Sequence, residues 1–171
     1  MATQPIQRNK PEAYVDDSLF ERFDGVCSER PVPGLEHARV QRRVVELLSP
    51  FRDKIGGEVL QEWSISDGSG DWLTPDVTFS YQDMKTTRRG HLLVPAYLVV
   101  EIRSPDQALR LLFDKQEHYR KWNVAYYWIV DPVEGACYEC ITSRDFSAIL
   151  LRKDSLRAGE IEIPVAAILG I

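Results

Sequence analysis

The chain has 171 residues, a formal net charge of −5 and a hydrophobic content of 44%. This length and apolar fraction predict one globular domain with a single core, and they exclude a disordered or fibrous chain. No apolar run approaches the ~18 residues needed to span a bilayer, so a cytoplasmic location is expected, and the acidic total lacks the basic footprint common in nucleic-acid-binding proteins.

The first segments predict a flexible arm followed by a β-hairpin. Residues 1–17 are polar and show no periodicity, which favours a flexible N-terminal arm ahead of a domain over residues 18–171. The run from Leu19 to Ser28 then has Asp24-Gly25 between two short stretches of strand-forming residues. Because this pair favours the left-handed backbone of a tight turn, a small antiparallel pair of strands is expected.

The rest of the chain alternates between helical and extended periodicity. Apolar residues recur at helical spacing up to Pro50, and later segments place them at every second position or in one continuous run. All four tryptophans are expected in the core, with Trp63 on the buried side of its strand. In chain order the pattern predicts helix 35–48, strand 58–65, strand 75–81, a basic loop 82–94, central strand 97–103, helix 104–122, strand 125–130, edge-like strands 137–142 and 147–151, and a short helix 164–169.

The second long helix has a distinct start signal. Ser104-Pro105-Asp106-Gln107 places serine at the N-cap, proline at the first helical position and glutamine at the third, which is a start of the capping-box type. The order of helices and strands predicts a mixed α/β fold, in which helices and a central β-sheet share one core.

Two carboxylates stand out at the ends of predicted neighbouring strands. Asp76 begins one strand, and Glu101 lies near the end of the next, followed by Arg103 on the same strand face. Burying a carboxylate without a partner is costly, so Glu101 requires an ion pair, a metal or a cleft. An ion pair with Arg103 or Lys115 that only satisfies the charge is one alternative, and a functional site shared with Asp76 is the other.

Short stretches spread from Leu19 to the end of the chain match a known family. They are Phe23-Asp24-Gly25, His37 at the first helix, Thr74-Pro75-Asp76-Val77, the run from Leu98 to Pro105, Asp114-Lys115 with Tyr119, and the run from Tyr127 to Pro132. In this order, they make the chain resemble the PD-(D/E)XK nuclease superfamily, which has the restriction-endonuclease-like fold. More closely, the chain is similar to the large bacterial family of restriction-endonuclease-like proteins sometimes called Uma-two. The likeness implies a central mixed β-sheet flanked by helices.

The resemblance also implies a Mg²⁺-dependent or Mn²⁺-dependent endonuclease that acts on DNA. Asp76 and Glu101 would bind the ion with help from the Ile102 carbonyl oxygen, and the ion would activate water for attack on a phosphodiester. His37 matches the family's helix-opening histidine and would add a ligand or a water contact. Two carboxylates about 4 Å apart repel by ~4 kcal/mol at an effective dielectric constant of about 20, so such a pair favours a cation. A homodimer would suit an enzyme that cuts two strands.

The catalytic cation is where the chain departs from the superfamily, which usually has a lysine two residues after the glutamate. Arg103 occupies that position, and arginine stabilises negative charge but is no general base. Lys115 is the candidate substitute, because it shares with Leu111 and Tyr119 a helical stripe that should face the sheet. In the alternative arrangement, the stem of Lys115 packs against the sheet while its ammonium group reaches solvent. A catalytically silent module that binds nucleic acid or protein is therefore the alternative function.

Glu62 and the cysteines are further candidates for ligand positions. Glu62 lies on the polar face of a strand expected beside Asp76, and it fits either a further carboxylate ligand or a solvated residue. Cys137 and Cys140 have metal-ligand spacing, but residues three apart on a strand point to opposite faces, so a zinc site is not expected. With three cysteines in the chain, reduced thiols are expected.

Two basic clusters interrupt the acidic sequence. They consist of Arg39, Arg42 and Arg43 in the first helix, and of Lys85, Arg88 and Arg89 in the loop 82–94. Each cluster fits either a solvated surface or an anion-binding site, because the same cations serve both purposes. The sequence leaves the choice open for each.

Overall fold

The computed structural model describes residues 19–142 and 147–171, so the arm predicted over residues 1–17 lies outside the described residues. Within them, no helix is long and apolar enough to cross a bilayer. The helices are α1 (Leu35–Leu48), α2 (Arg52–Ile55), α3 (Leu109–Lys121) and α4 (Val165–Leu169). The strands are β1 (Phe20–Phe23), β2 (Val26–Glu29), β3 (Gly57–Gln61), β4 (Ile65–Ser66), β5 (Val77–Tyr81), β6 (Leu92–Leu93), β7 (Leu98–Ile102), β8 (Tyr126–Asp131), β9 (Ala136–Thr142), β10 (Ser147–Arg152), β11 (Ser155–Ala158) and β12 (Ile161–Pro164).

Six strands form the central sheet, in the order β10-β9-β8-β7-β5-β3. The neighbours β7 and β8 are parallel, and the other neighbouring pairs are antiparallel. Parallel neighbours need a crossover connection, which α3 provides between β7 and β8. The predicted mixed sheet with flanking helices is confirmed.

Apolar layers cover both faces of this sheet, where the sequence predicted one core. Leu98 and Val100 pack with α1, α4 and the β11–β12 hairpin, whereas Val99 packs with α3 on the other face. This division follows from the strand period of two. As predicted, Cys137 and Cys140 fall on opposite faces, one in each layer.

The N-terminal hairpin forms at the predicted turn. Asp24 and Gly25 have φ values of 47° and 76°, and β1 pairs antiparallel with β2 around them. Glycine adopts this left-handed region without steric cost, and aspartate tolerates it better than most residues. The hairpin brings Glu21 of β1 toward the central sheet, with consequences described below.

The strand predicted over residues 58–65 is wrong in its second half. β3 ends at Gln61, because Glu62 has a φ of 48° that breaks the extended alternation. The chain then enters a separate two-stranded parallel sheet, where Ile65 pairs with Leu92. Trp63 is consequently 47% exposed rather than buried, and its indole N–H donates to the Gly90 carbonyl at 3.1 Å.

The predicted start of the second long helix is wrong by four residues, because the N-cap is Ala108 and not Ser104. Ser104 and Gln107 form a closed turn of their own, in which Gln107 N–H donates to the Ser104 carbonyl at 3.0 Å and the Gln107 side chain accepts from Ser104 N–H at 3.3 Å. These reciprocal bonds satisfy the capping groups locally, and Ala108 is extended, so α3 begins only at Leu109. Within α3, Leu111 is 55% exposed and lies off the predicted inward stripe.

The C-terminal strands differ from the prediction in two respects. β9 is paired on both sides, by β8 and β10, so of these two strands only β10 lies at an edge of the central sheet. The hairpin β11–β12 was not predicted, although Leu156, Ala158, Ile161 and Ile163 alternate around Gly159, which has a φ of 57°. The short helix α4 follows where it was expected.

Candidate active site

Asp76 and Glu101 meet at one end of the central sheet. β5 pairs antiparallel with β7, with Val77 opposite Val100. Continuing that register by one residue places Asp76 opposite Glu101. Both residues are buried, and both line a cleft of about 290 Å³. The structure thus brings together the two carboxylates that the sequence singled out.

The Asp76 carboxylate is held by residues from three parts of the chain. One oxygen, Oδ1, accepts from His37 Nε2 at 3.1 Å, and the other, Oδ2, accepts from the Ile102 backbone N–H at 2.6 Å. Arg30, which follows β2, places its guanidinium 3.8 Å from Oδ1. Because His37 and Ile102 are fixed by α1 and β7, the carboxylate has one defined orientation.

His37 opens α1 and points into the cleft beside Asp76. Its second ring nitrogen, Nδ1, lies 3.4 Å from the Ser104 hydroxyl oxygen. Burial by itself lowers the pKa of His37, but the hydrogen bond and the negative charge of Asp76 outweigh it, so the pKa is raised. His37 thus acts as a donor that orients Asp76. Its role as a metal ligand stays a prediction.

Glu101 accepts two hydrogen bonds from α3 on a single oxygen. Lys115 Nζ donates to Oε1 at 2.9 Å, and the Tyr119 hydroxyl donates to the same atom at 2.5 Å. Burial and the nearby carboxylates of Glu21 and Asp76 raise the pKa of Glu101 to about 7, against the effect of Lys115, which lowers it. A positive charge entering the cleft would relieve this cost.

Lys115 is the cation that α3 contributes to the cleft. Its ammonium group lies 2.9 Å from Glu101 and 2.9 Å from Glu21, and its side chain is 15% exposed. Burial by itself lowers the pKa of Lys115, but the two carboxylates outweigh it and raise the pKa, so the group keeps its proton at neutral pH. Lys115 therefore offers a fixed positive charge and not a general base.

Glu21 and Arg30 are site residues that sequence reasoning missed. Glu21 lies in β1, is buried, and accepts from Lys115 and from the Thr74 backbone N–H at 3.1 Å. An acidic residue on the same strand face as Phe23 was a signal for Glu21, because an apolar neighbour at i+2 marks an inward face. Arg30 follows the hairpin in irregular chain, where no periodicity assigns a direction.

The sequence predicted that Arg103 shares the strand face of Glu101, and this prediction is wrong. β7 ends at Ile102, so the strand alternation stops before Arg103. Its guanidinium donates to Asp131 at 2.8 Å and to the Gln107 carbonyl at 2.8 Å, and it is not among the described residues that line the cleft. Arg103, at the position where the superfamily resemblance implies a lysine, thus contacts a different buried carboxylate.

Glu62 lies at the cleft wall, next to Asp76. Its positive φ carries it past the end of β3, and its backbone N–H donates to the Asp76 carbonyl at 3.2 Å. Gln41 of α1 bridges the two residues, donating to the Glu62 carboxylate at 3.3 Å and to the Asp76 carbonyl at 2.9 Å. Glu62 lines the same cleft, and its role as a ligand stays a prediction.

The donor chemistry of the cleft suits a divalent ion held by two carboxylates. Within residues 19–142 and 147–171, no group of three His, Cys, Asp or Glu side chains is arranged to hold a metal. Mg²⁺ does not require such a group, because it is usually bound by one or two carboxylates, with water and substrate phosphate oxygens as the other ligands. Asp76 and Glu101 supply two hard oxygen donors, and the raised pKa of Glu101 marks a place where positive charge is favoured. The residues therefore fit Mg²⁺ or Mn²⁺.

The match to a family model and the superposition on a putative nuclease agree with this architecture. Residues 12–146 match the Uma2 family model, described as "Putative restriction endonuclease". A putative nuclease belonging to DUF820 from Anabaena variabilis ATCC 29413 superimposes with a TM-score of 0.73 at 19% identity, covering 90% of this chain and 91% of that one. A structure of the DrdV–DNA complex superimposes with a TM-score of 0.43 at 15% identity, covering 78% of this chain and 11% of that one. No curated protein matches the chain.

Proposed function

Because the chain belongs to the Uma2 family of restriction-endonuclease-like proteins, we propose that it is a divalent-metal-dependent endonuclease that hydrolyses DNA phosphodiester bonds. Asp76 and Glu101 would hold Mg²⁺ or Mn²⁺, with the Ile102 carbonyl oxygen as a further ligand. When bound, the ion activates a water molecule and neutralises charge on the phosphate. His37 holds the Asp76 carboxylate in the orientation that this requires.

Lys115 supplies the fixed positive charge of the reaction. It stays protonated, so it stabilises the negative charge that develops on the phosphate oxygens and takes no proton. The carboxylates of Glu101 and Glu21 hold its ammonium group from two sides. Arg103 is engaged with Asp131, which supports Lys115 over Arg103 as the catalytic cation.

One observation carries the proposal: Asp76, Glu101 and Lys115 converge in one cleft, although they come from a strand start, a strand end and a helix. The superfamily resemblance implies a lysine on the strand that carries Glu101. Here the positive charge comes from Lys115 of α3, which contacts the Glu101 carboxylate. A structural ion pair between Glu101 and Lys115 alone would not require Asp76 to be held beside it by His37 and the Ile102 amide.

Nicking of supercoiled plasmid in Mg²⁺ or Mn²⁺ tests this function. The wild-type protein is expected to nick and linearise the plasmid, and Asp76→Ala is expected to abolish this activity. Asp53→Ala is the matched control, because Asp53 is an exposed aspartate of α2 away from the cleft. Nicking that survives in Asp76→Ala, or that persists in chelator, would contradict the assignment.

The catalytically silent module is the second candidate, and one observation favours it. Lys115 and Tyr119 already donate to one oxygen of Glu101 without any ion, and Glu21 holds Lys115 from a second side. A buried network that is held together by its own side chains is compatible with a purely structural role. Duplex binding without nicking, and without stabilisation by either ion, is the result that this alternative predicts.

A homodimer is part of the proposed function, because one cleft cuts one strand. Two copies related by a two-fold axis would place two clefts on the antiparallel strands of a duplex. Light scattering of the protein with and without DNA measures this assembly. A monomer that linearises plasmid only through two independent nicks would contradict it.

A further inference from the structure

A second pocket, about 370 Å³ in volume, lies on the other side of β1 from the cleft. Arg22, Arg88, Arg89 and His91 line it, and Trp72 contributes to its wall. None of the described residues that line it is acidic. We call it the basic pocket. A concentration of positive side chains around one concavity is unexpected in a chain whose net charge is −5, and it favours an anionic ligand.

Arg88 of the basic pocket differs from the arginines of α1, the other basic cluster. Arg22, also in the pocket lining, lies 3.7 Å from the Asp71 carboxylate and is compensated like those of α1. Arg39 and Arg42 are paired along the helix with Glu36 at 3.3 Å and with Glu46 at 2.7 Å. Within residues 19–142 and 147–171, Arg88 is exposed and forms no ion pair. Its charge is therefore available to a ligand, whereas the charges on α1 are compensated by neighbouring side chains.

Trp72 gives the pocket a rigid aromatic wall. It is 3% exposed, and its indole N–H donates to the Phe20 carbonyl at 3.1 Å. The Arg89 guanidinium lies 6.0 Å from the centre of its ring, and the His91 ring lies 5.6 Å from it. A cation over an aromatic face is held in place without losing its charge, which limits the entropy lost when it binds an anion.

The basic pocket and the cleft share their walls. Glu21 and Arg22 are consecutive residues of β1, and Glu21 lines the cleft while Arg22 lines the pocket. In the facing segment Trp72 lines the pocket, and Thr74, two residues further on, lines the cleft. Arg22 and Trp72 exchange two backbone hydrogen bonds of 2.8 Å, which join the segments. Two extended residues span ~7 Å, so a polymer with closely spaced anionic groups can reach both places.

The excess of negative charge in the cleft favours a separate anchor. Two basic residues, Arg30 and Lys115, line the cleft against five acidic ones, and the acidic excess repels a polyanion: Glu21, Glu29, Glu62, Asp76 and Glu101. The basic pocket offers the opposite charge at its border. We infer that the basic pocket binds a backbone phosphate of the nucleic-acid substrate, a few nucleotides from the bond presented to the cleft. This inference rests on the proposed function.

Duplex binding without catalysis tests the pocket directly. A short fluorescent duplex is titrated in chelator with three proteins. They are the wild type, the pocket variant Arg88→Ala/Arg89→Ala, and the α1 control Arg39→Ala/Arg42→Ala, which removes the same charge from α1. The pocket variant is expected to bind about tenfold or more weakly and to lower the slope of log affinity against log salt by about 1. The α1 control is expected to bind like the wild type. Arg88→Ala alone, at an exposed position, serves as the second variant, and circular dichroism monitors the fold of each.

A neutral methylphosphonate placed at successive positions of the duplex locates the contact. At one position, the methylphosphonate is expected to weaken duplex binding by the wild type but not by the pocket variant. The pocket variant already lacks the arginines that would contact the phosphate charge removed at this position. Equal affinity and equal salt slope for wild type and pocket variant would overturn the inference, as would a wild type that binds no duplex. Inorganic phosphate that stabilises the wild type but not the pocket variant, with duplex affinity unchanged, would also overturn it, because the pocket would then hold a free anion.

Failure of the pocket and failure of the proposed function give different results. If the wild type nicks plasmid and the pocket variant binds the duplex as tightly as the wild type does, the nuclease proposal stands and the pocket inference is wrong. If the pocket variant loses duplex affinity but the wild type never nicks plasmid, the pocket inference stands and the nuclease proposal is wrong.

Discussion

The cleft and the basic pocket are built on the same two segments, yet their charges differ in sign and in access to solvent. In the cleft, Glu21, Asp76 and Glu101 are buried, and each is held by donors at hydrogen-bond distance. In the basic pocket, Arg88 is exposed and has no acidic partner among the described residues. Charges that must act on a reacting group gain from fixed positions in a dry site, whereas charges that only attract a polyanion work from the surface.

Because of this difference, substitutions in the two regions should change the unfolding free energy by different amounts. Removing one partner of a buried ion pair leaves the other charge uncompensated and costs about 3–5 kcal/mol of unfolding free energy. Removing an exposed side chain usually changes stability by no more than ~0.5 kcal/mol. Variants of the two regions should therefore differ in stability as well as in function, and four predictions follow that order.

The largest effect is expected for Lys115→Met. Glu21 and Glu101 would face each other without their shared cation, so the unfolding free energy should fall by about 3–5 kcal/mol, and turnover of the folded fraction should fall on the order of 100-fold. Urea unfolding and single-turnover cleavage measure the two quantities. Lys54→Met is the control, because Lys54 forms an exposed ion pair with Glu160. A Lys115→Met protein as active as the wild type would show that the catalytic cation lies elsewhere.

Arg103→Ala should damage stability but not chemistry. It leaves the buried Asp131 carboxylate without its guanidinium, at a cost of about 3 kcal/mol. The cost lies at the low end because the Val133 and Glu134 backbone N–H groups still donate to Asp131, at 3.0 and 3.1 Å. The single-turnover rate of the folded protein should stay unchanged. If this rate falls while that of Lys115→Met does not, the roles of the two cations are reversed. Arg110→Ala, at an exposed pair on α3, is the control for stability.

Mg²⁺ or Mn²⁺ should stabilise the wild-type protein, because the ion relieves repulsion between carboxylates only in the folded cleft. At an ion concentration 100 times Kd the gain is ~2.7 kcal/mol. Thermal or urea unfolding with the ion and with chelator measures it. The gain should vanish in Asp76→Ala/Glu101→Ala and persist in Arg88→Ala/Arg89→Ala. An equal gain in the carboxylate variant would place the ion outside the cleft.

The smallest effect on stability is expected for Arg88→Ala. Its exposed side chain should leave the unfolding free energy within ~0.5 kcal/mol of the wild type. For plasmid or duplex cleavage, KM should rise and kcat should stay unchanged, because the pocket binds the substrate without contacting the reacting bond. Steady-state cleavage of a short duplex at several salt concentrations measures both. A lowered kcat at unchanged KM would assign Arg88 to the chemistry of the cleft.

Features that depend on near neighbours in the chain were predictable from the sequence. The Asp24-Gly25 turn, α1, the buried strand β7 and the end of α3 follow from turn chemistry and from apolar periodicity, which short segments contain in full. The same periodicity, with the family resemblance, singled out Asp76 and Glu101. Errors arose at residues 62 and 104–108, where local backbone geometry overrode the pattern.

The choice of partners was decided only by the tertiary structure. Strand alternation assigns a side chain to a face, but it does not say which distant segment packs there. Glu21 meets Lys115 across 94 residues, and Arg103 meets Asp131 across 28. The sequence by itself determined that Glu101 needs a partner, because a buried charge is costly wherever the chain places it. Packing of the hairpin and α3 against the sheet selected Lys115 for that role and left the arginines of the loop at the surface, since only the folded chain fixes which charges lose contact with water.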